Sequence, residues 1–356
     1  MSFMTPYDSK SLSKVIKKTF TDIPLNLNGI RVLTEAASGV FAVTPLLAAL
    51  AGADHVYALG KDSRYGSFKE VKENLENLGN ELGILDRITI TDLPATQFAS
   101  EADLVTNLNF VRPISSSVIT KMPSHGAIAL MWAPWEFRAE DLDLESAVMT
   151  QIPIVATNED NAKVSTYEYV GILSVKLLLE QGHVIRGERI LVVGSNPFGL
   201  VCERVLLKLG ALTLRIDPSL AEVIDQNESF FSPDVILIIE HKVDQELMGP
   251  SRDALLRKWQ AIPTSVVHIC GNIDENYLIS KGFSIYPNLV APFGFMSATT
   301  GYLGLEPVTR LHAAGMYAAA IVVNARKKGD SISSALKLAE QSGFGLSLIT
   351  SELEKK

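Results

Sequence analysis

The amino-acid sequence predicts an α/β fold made of two parallel-sheet domains joined by two long crossover helices. Three observations predict it. Short apolar runs alternate with stretches of helical periodicity along the chain, the pattern of parallel strands covered on both faces. Two long helical segments, 163–181 and 308–326, bracket the second series of strands, so the chain leaves one domain and later returns to it. One strand, Arg189–Val193, runs directly into a glycine-bearing turn and a helix.

In chain order, Ile30–Ala36 reads as a strand, Phe41–Ala51 as a helix and His55–Leu59 as a second strand. A helix follows through Phe68–Leu78 and ends near Gly79. Ile88–Thr91, Leu104–Thr106, Ala127–Met131 and Ile152–Ala156 are further short strands, with a helical stretch at Ser115–Lys121. The long helix Lys163–Gln181 places Tyr167, Val170, Leu173, Leu177 and Leu178 at helical spacing and stops near Gly182. The second series of strands comprises Arg189–Val193, Leu212–Ile216, Val235–Ile239, Val266–Ile269 and Phe283–Tyr286. An Ala-rich helix at Val308–Arg326 and a last helix at Ile332–Ser342 complete the chain, with Lys327-Lys328-Gly329 between them as a stop signal.

Length and composition agree with this organisation. A chain of 356 residues exceeds the usual single core, and 47% hydrophobic against 20% charged residues supplies packed interiors. The net charge of -8 and pI near 5.4 argue against a nucleic-acid surface. Cys202 and Cys270 each sit in an apolar run and offer no disulfide framework, which suits a reducing, cytoplasmic setting. The first residues, Met1 to Lys18, lack the apolar core of a signal peptide. No apolar run reaches the roughly 18 residues of a membrane span, so no membrane partner is expected.

The clearest chemistry lies in Arg189-Ile-Leu-Val-Val-Gly194-Ser-Asn196-Pro-Phe198-Gly199. An apolar strand enters Gly194, and a helix begins before Gly199 and packs through Leu200, Val201, Val205, Leu206 and Leu209. The next strand ends at Asp217, about 20 residues beyond the first glycine, where a carboxylate accepts hydrogen bonds from an adenosine ribose. This is a Rossmann-type nucleotide fingerprint. An acid at that place favours NAD over NADP, because it repels a 2′-phosphate; Arg215 leaves a small opening for the phosphorylated form. Asn196 stands where the fingerprint carries its middle glycine, narrowing the backbone's approach to a pyrophosphate, although helix N–H groups still offer phosphate contacts. Gly194, Asn196, Phe198, Gly199 and Asp217 are the candidate cofactor residues. The alternative is a Rossmann-like domain that binds no dinucleotide.

The segment Asn158-Glu159-Asp160-Asn161-Ala162-Lys163, leading into Tyr167-Glu168-Tyr169-Val170-Gly171, resembles S-adenosylhomocysteine hydrolases. There an Asn-Asp pair precedes a lysine at the same spacing, followed by a helix and the NAD fingerprint. Gly29-Ile30-Arg31-Val32, followed by Thr44 through Ala53, looks like that family's substrate-domain strand and helix. More broadly, the architecture is similar to the formate/glycerate dehydrogenase-like group, which includes 2-hydroxyacid and alanine dehydrogenases. The resemblance spans most of the chain as architecture, and its specific residues occupy 158–163 and 194–217. It implies a substrate domain at 1–160 and 306–356, an NAD-binding domain at 183–305, and a linking helix at 161–182. It also implies that Lys163 contacts a substrate hydroxyl as acid or base while Asn158 orients it. A lysine on the first turn of a cleft-facing helix has its pKa lowered by desolvation and by the helix end, which suits proton transfer. The alternative is that Asn158-Glu159-Asp160 caps the helix and Lys163 is a solvated partner of Glu159. Tyr167-Glu168 replaces that family's acidic-amide pair and Asn272 stands where it carries a histidine, so adenosylhomocysteine hydrolysis is not expected.

A dehydrogenase needs a proton donor beside the carbonyl that receives hydride. His241, just beyond a strand, and His312, at the start of the return helix, rank above His268 within a strand; each also fits a packing role. Arg64 and Arg112 follow first-domain strands and are candidates to clamp a carboxylate or phosphate, with surface ion pairing as the alternative. Trp132-Ala-Pro-Trp135-Glu136 is a candidate pocket wall or subunit contact, as is the Ala-rich helix for a homo-oligomer. The stretch Ala291–Gly304 reads as a loop able to close over a ligand or as a packed connection. No metal site is expected. The leading reading is an NAD(P)-dependent oxidoreductase acting on a small polar or anionic substrate in the interdomain cleft. A regulatory or scaffold protein that kept the nucleotide fold without catalysis is the alternative. A methyltransferase reading centred on Val32-Leu-Thr-Glu35-Ala-Ala-Ser-Gly39 ranks last, because only one glycine follows Glu35.

Overall fold

A computed structural model describes residues 7–219, 233–252 and 265–348. Residues 1–6 of the N-terminal stretch, residues 349–356 of the expected first domain and the Trp135 side chain lie outside the described ones. The chain divides into two compact units, one formed by 1–165 and 304–356 and the other by 166–303.

In the first unit the elements run α1 (Ser9–Asp22), β1 (Arg31–Glu35), α2 (Val43–Leu50), β2 (His55–Leu59), α3 (Phe68–Leu82), β3 (Ile88–Thr91), β4 (Leu104–Thr106), α4 (Ser116–Ile119), β5 (Ala127–Leu130), α5 (Leu144–Thr150) and β6 (Ile154–Thr157). The second unit holds α6 (Thr166–Glu180), β7 (Arg189–Val193), α7 (Phe198–Lys208), β8 (Leu212–Ile216), β9 (Val235–Ile239), β10 (Glu246–Met248), β11 (Ser265–Cys270), β12 (Asn272–Ile273), α8 (Glu275–Ser280) and β13 (Ser284–Tyr286). The chain then re-enters the first unit with α9 (Leu305–Lys327), α10 (Ile332–Gln341) and β14 (Gly345–Ser347).

The first unit carries a seven-stranded sheet ordered β14-β6-β5-β4-β1-β2-β3. All its pairings are parallel except β14 against β6. Alternate residues of β1 feed different cores: Val32 belongs to the cluster beneath α2 and α9, while Leu33 joins the cluster containing Ile114, Val118 and Ile119. Covering both faces explains why these strands read as continuous apolar runs. The second unit carries a five-stranded parallel sheet ordered β13-β11-β9-β7-β8, again with a separate apolar cluster on each face. Both units are therefore Rossmann-like parallel-sheet domains, as the sequence predicts.

Several boundaries differ for identifiable reasons. Helix α3 passes through Gly79, whose missing Cβ admits Leu85, and stops at Gly83, which takes the left-handed conformation of a helix cap. Helix α6 starts at Thr166, not at Lys163, and belongs to the second unit through its packing on α7. The segment before it folds as a turn in which the Asn161 side chain accepts from the Lys163 N–H at 2.9 Å. The sequence reading missed α1, α5, α8 and the short strands β10, β12 and β14. Helix α1 has a polar face and only Leu12, Ile16 and Thr19 buried, so its apolar signal is sparse. Cys202 and Cys270 are both buried, in keeping with their apolar surroundings.

Candidate functional site

The turn between β7 and α7 is built by close backbone approach. A Cβ at Gly194 would run into the Ile239 carbonyl oxygen at the end of β9, and one at Gly199 into the Gly194 carbonyl. These glycines let α7 start directly against the sheet, which is the packing role that fingerprint glycines serve. Asn196, between them, is exposed, so its side chain takes no part in the buried packing of the turn. Phe198 is buried, with its ring 4.3 Å from His241 and 5.6 Å from Tyr167. It therefore braces the start of α7 from the core side.

Asp217, one residue beyond β8, is 7% exposed. It accepts from the Ser219 N–H at 3.1 Å, from the Ser219 hydroxyl and from Arg215 Nη1 at 3.2 Å. Burial pushes its carboxyl up, but the hydrogen bonds from Ser219 and Arg215 outweigh that, and it lies below the ordinary range. Asp217 is thus ionised at neutral pH. Arg215 is itself turned back onto Glu203 at 3.2 Å and onto the Gly194 carbonyl at 3.2 Å.

Beside the turn lies a residue that the sequence reading passed over. Glu240 follows β9, is fully buried, and accepts from the Ser195 N–H at 2.8 Å and the Ser195 hydroxyl at 2.6 Å. Its other oxygen accepts from the N–H groups of Lys242 at 2.6 Å and Val243 at 3.0 Å. The signal available in the sequence was an acidic residue closing a wholly apolar strand, which is rarely buried unless it is paired.

The histidines take different settings. His312 is 3% exposed and bonds Thr44 through Nδ1 at 2.8 Å; burial pushes its pKa down to about 4. His241 lies against Phe198, and burial lowers its pKa to about 4 as well. Both rings are therefore neutral at pH 7. His268 has both ring nitrogens engaged, with the Ser297 hydroxyl at 2.7 Å and the Gly271 carbonyl at 2.9 Å. The Ser297 N–H donates to Ile269 at 2.7 Å, and its hydroxyl accepts from the Ala291 N–H at 2.8 Å. Residues 291–297 are consequently tied to β11.

In the first unit, the C-terminal ends of the strands gather charge. Arg112, in the loop after β4, pairs with Asp141 at 2.8 Å and lies 5.1 Å over the Trp132 ring. Arg64 is exposed in the loop after β2, with its guanidinium 4.7 Å from the Tyr65 ring. A cavity of about 120 Å³ opens near that loop, lined by Ser38, Gly39, Tyr65, Gly66 and Glu70 among others. Asn158 is committed elsewhere: its side chain donates to the Gly343 carbonyl at 2.9 Å, and its own N–H to Phe344 at 2.8 Å. Lys163 is exposed, and its carbonyl accepts from Arg310 at 2.6 Å.

The carboxyls at this edge were also missed. Glu159 is 3% exposed and meets Glu136, so neither Lys163 nor a helix cap accounts for it. Burial, then the neighbouring Glu136 carboxyl, raises Glu159 well above the ordinary range; burial likewise raises Glu136 to about 7. Glu35, at the end of β1, is raised by burial to about 7 against the opposing pull of Arg112 and the N–H groups of Phe110 and Asn109. Its ties to the β4 loop give Glu35 a structural setting within the first unit. Among the described residues, no group of three or more His, Cys, Asp and Glu could hold a metal ion, and no helix is long and apolar enough to cross a membrane.

No protein-family model matches the sequence, and no curated protein matches it. Solved structures do resemble it. The A chain of dipicolinate synthase from Bacillus subtilis is 12% identical, with a TM-score of 0.54 over 85% of this chain and 99% of that one. The corresponding dipicolinate synthase polypeptide from Bacillus halodurans is 13% identical, with a TM-score of 0.49 over 81% of this chain and 96% of that one. NAD+-bound 3-phosphoglycerate dehydrogenase from Entamoeba histolytica is 11% identical, with a TM-score of 0.42 over 85% and 97%. The first of these likenesses shows that the two Rossmann-like domains are arranged along the chain as in a known fold, which is the level at which the expected resemblance holds.

Proposed function

We propose that this protein is an NAD-dependent oxidoreductase acting on a small polar or anionic substrate. The observation that carries this reading is the β7–turn–α7–β8 unit. Its glycines bring backbone against backbone, and an ionised Asp217 stands at the end of the neighbouring strand. Gly194, Asn196, Phe198 and Gly199 would shape the pyrophosphate end of the site, and Asp217 the ribose end. When bound, the nicotinamide supplies or accepts the hydride. Arg215, held by Glu203 and Asp217, is not directed at a 2′-phosphate, which supports NAD over NADP.

Arg64 and Arg112, in loops of the first unit, are the candidates to bind an anionic group of the substrate. Arg112 is the better prepared, because Asp141 and the Trp132 face hold its guanidinium in one orientation. For the proton, Lys163 and His241 remain the candidates. A neutral His241 would be able to accept the proton of a hydroxyl substrate. His312, bonded to Thr44 inside the first unit, is better read as a packing histidine.

Titration with NADH, followed by fluorescence or calorimetry, tests the reading. Saturable binding, tighter than that of NADPH, is expected; no saturation at about 1 mM would sink it. Binding without turnover across a panel of small hydroxy acids, oxo acids and alcohols would favour the non-catalytic alternative, which the side chain at Asn196 motivates.

A further inference from the structure

The glycine turn contains a buried anion of its own. Glu240 is fully buried one residue past β9, the strand between β7 and β11, and its own N–H donates to Cys270 at 2.9 Å. A carboxylate is expensive to bury unless hydrogen bonds saturate it. Here each oxygen takes two donors: Ser195 supplies one oxygen through N–H and hydroxyl, and the Lys242 and Val243 N–H groups supply the other. The requirement for a carboxylate follows from this count. The N–H groups of Ser195, Lys242 and Val243 can only donate, so an amide side chain would set its NH2 against at least one of them.

We propose that Glu240 is a positioning residue that holds the turn in the shape that receives a pyrophosphate. It draws the Ser195 N–H and hydroxyl inward, so Ser195 is not itself a phosphate contact. The exposed Asn196 then lies on the outer side of the turn. The start of α7 depends in turn on the tethered Ser195, because the Gly199 N–H donates to the Ser195 carbonyl at 2.9 Å. The ribose end does not depend on Glu240 in this way, since Arg215 and Ser219 hold Asp217. This inference rests on the dinucleotide reading above.

The test compares dissociation constants for NADH, ADP-ribose and adenosine in the parent, Glu240→Gln and Ser195→Ala. Losing an acceptor for two buried donors should weaken NADH and ADP-ribose by about tenfold or more in Glu240→Gln. Adenosine, which has no phosphate, should bind both proteins alike. Ser195→Ala, which removes one contact and keeps the amide, should show the same pattern at a few-fold; it carries the test if Glu240→Gln does not fold. A merely structural role would weaken all three ligands together, and that result overturns the proposal, as does unchanged NADH binding in both variants. A parent that binds neither NADH nor ADP-ribose overturns the dinucleotide reading itself; a parent that binds both beside unaffected variants overturns only the role of Glu240.

Discussion

Asp217 shows how one residue type acquires its charge state from its neighbours. The carboxyl is mostly buried, yet Ser219 and Arg215 keep it ionised, so it presents a fixed negative charge at the place proposed for the ribose. Replacing it by Asn removes that charge and an acceptor for the ribose hydroxyls. NADH affinity should fall by about tenfold, while NADPH should lose less because repulsion of its extra phosphate disappears. Parallel titrations with the two cofactors check this, and an unchanged NADH-to-NADPH ratio would refute it. Glu240 illustrates the reverse case. In sequence it is one acid after an apolar strand, and only its four donors reveal why it is buried.

At the scale of elements, α7 starts where it does because Gly199 has no Cβ. Gly199→Ala would press a methyl group into the Gly194 carbonyl and force α7 away from β7. Overpacking of this kind costs about 1–3 kcal/mol, so a lower melting temperature with weakened NADH binding is expected. Helix α3 is anchored differently. The Ser67 side chain accepts from the Glu70 N–H while the Glu70 carboxylate takes the Ser67 N–H, a reciprocal capping box. Ser67→Ala should cost about 1 kcal/mol, read by denaturant unfolding, and should leave cofactor affinity untouched because the second unit is unaltered. Loss of NADH binding in that variant would count against the separate assignment of the two units. The start and stop signals of α3 were partly legible in sequence. Gly79 misled because a glycine that serves packing has the same letter as one that serves a cap.

Across the whole molecule, two groups of buried side chains respond to pH in opposite directions. Glu35 and Glu136 have folded-state values near 7, raised above an ordinary 4.5, so their contribution is full below about 4.5 and is lost as pH rises through about 7. His241 and His312 are lowered from 6.5 to about 4, so their contribution is present above 6.5 and is lost as pH falls through about 4. The two sets oppose each other between about pH 4.5 and 6.5, which flattens the parent's profile. Glu136→Gln lifts one side of that balance. Its melting temperature relative to the parent should climb as pH rises from about 4.5 to about 7, and a difference that does not change with pH would contradict the assignment.

The sequence by itself determined the fold class, the succession of most strands and the position of the fingerprint turn. Local periodicity and apolar runs carry that information, because a doubly covered parallel strand must be apolar on both faces. Tertiary structure decided what the polar residues do. Asn158 ties down Gly343, Glu159 meets Glu136, and Glu240 holds Ser195, each across a separation in sequence that no local pattern encodes. The physical reason is that a polar side chain's role is set by whichever donors, acceptors and charges the fold brings within hydrogen-bond reach of it, and burial then fixes its protonation state.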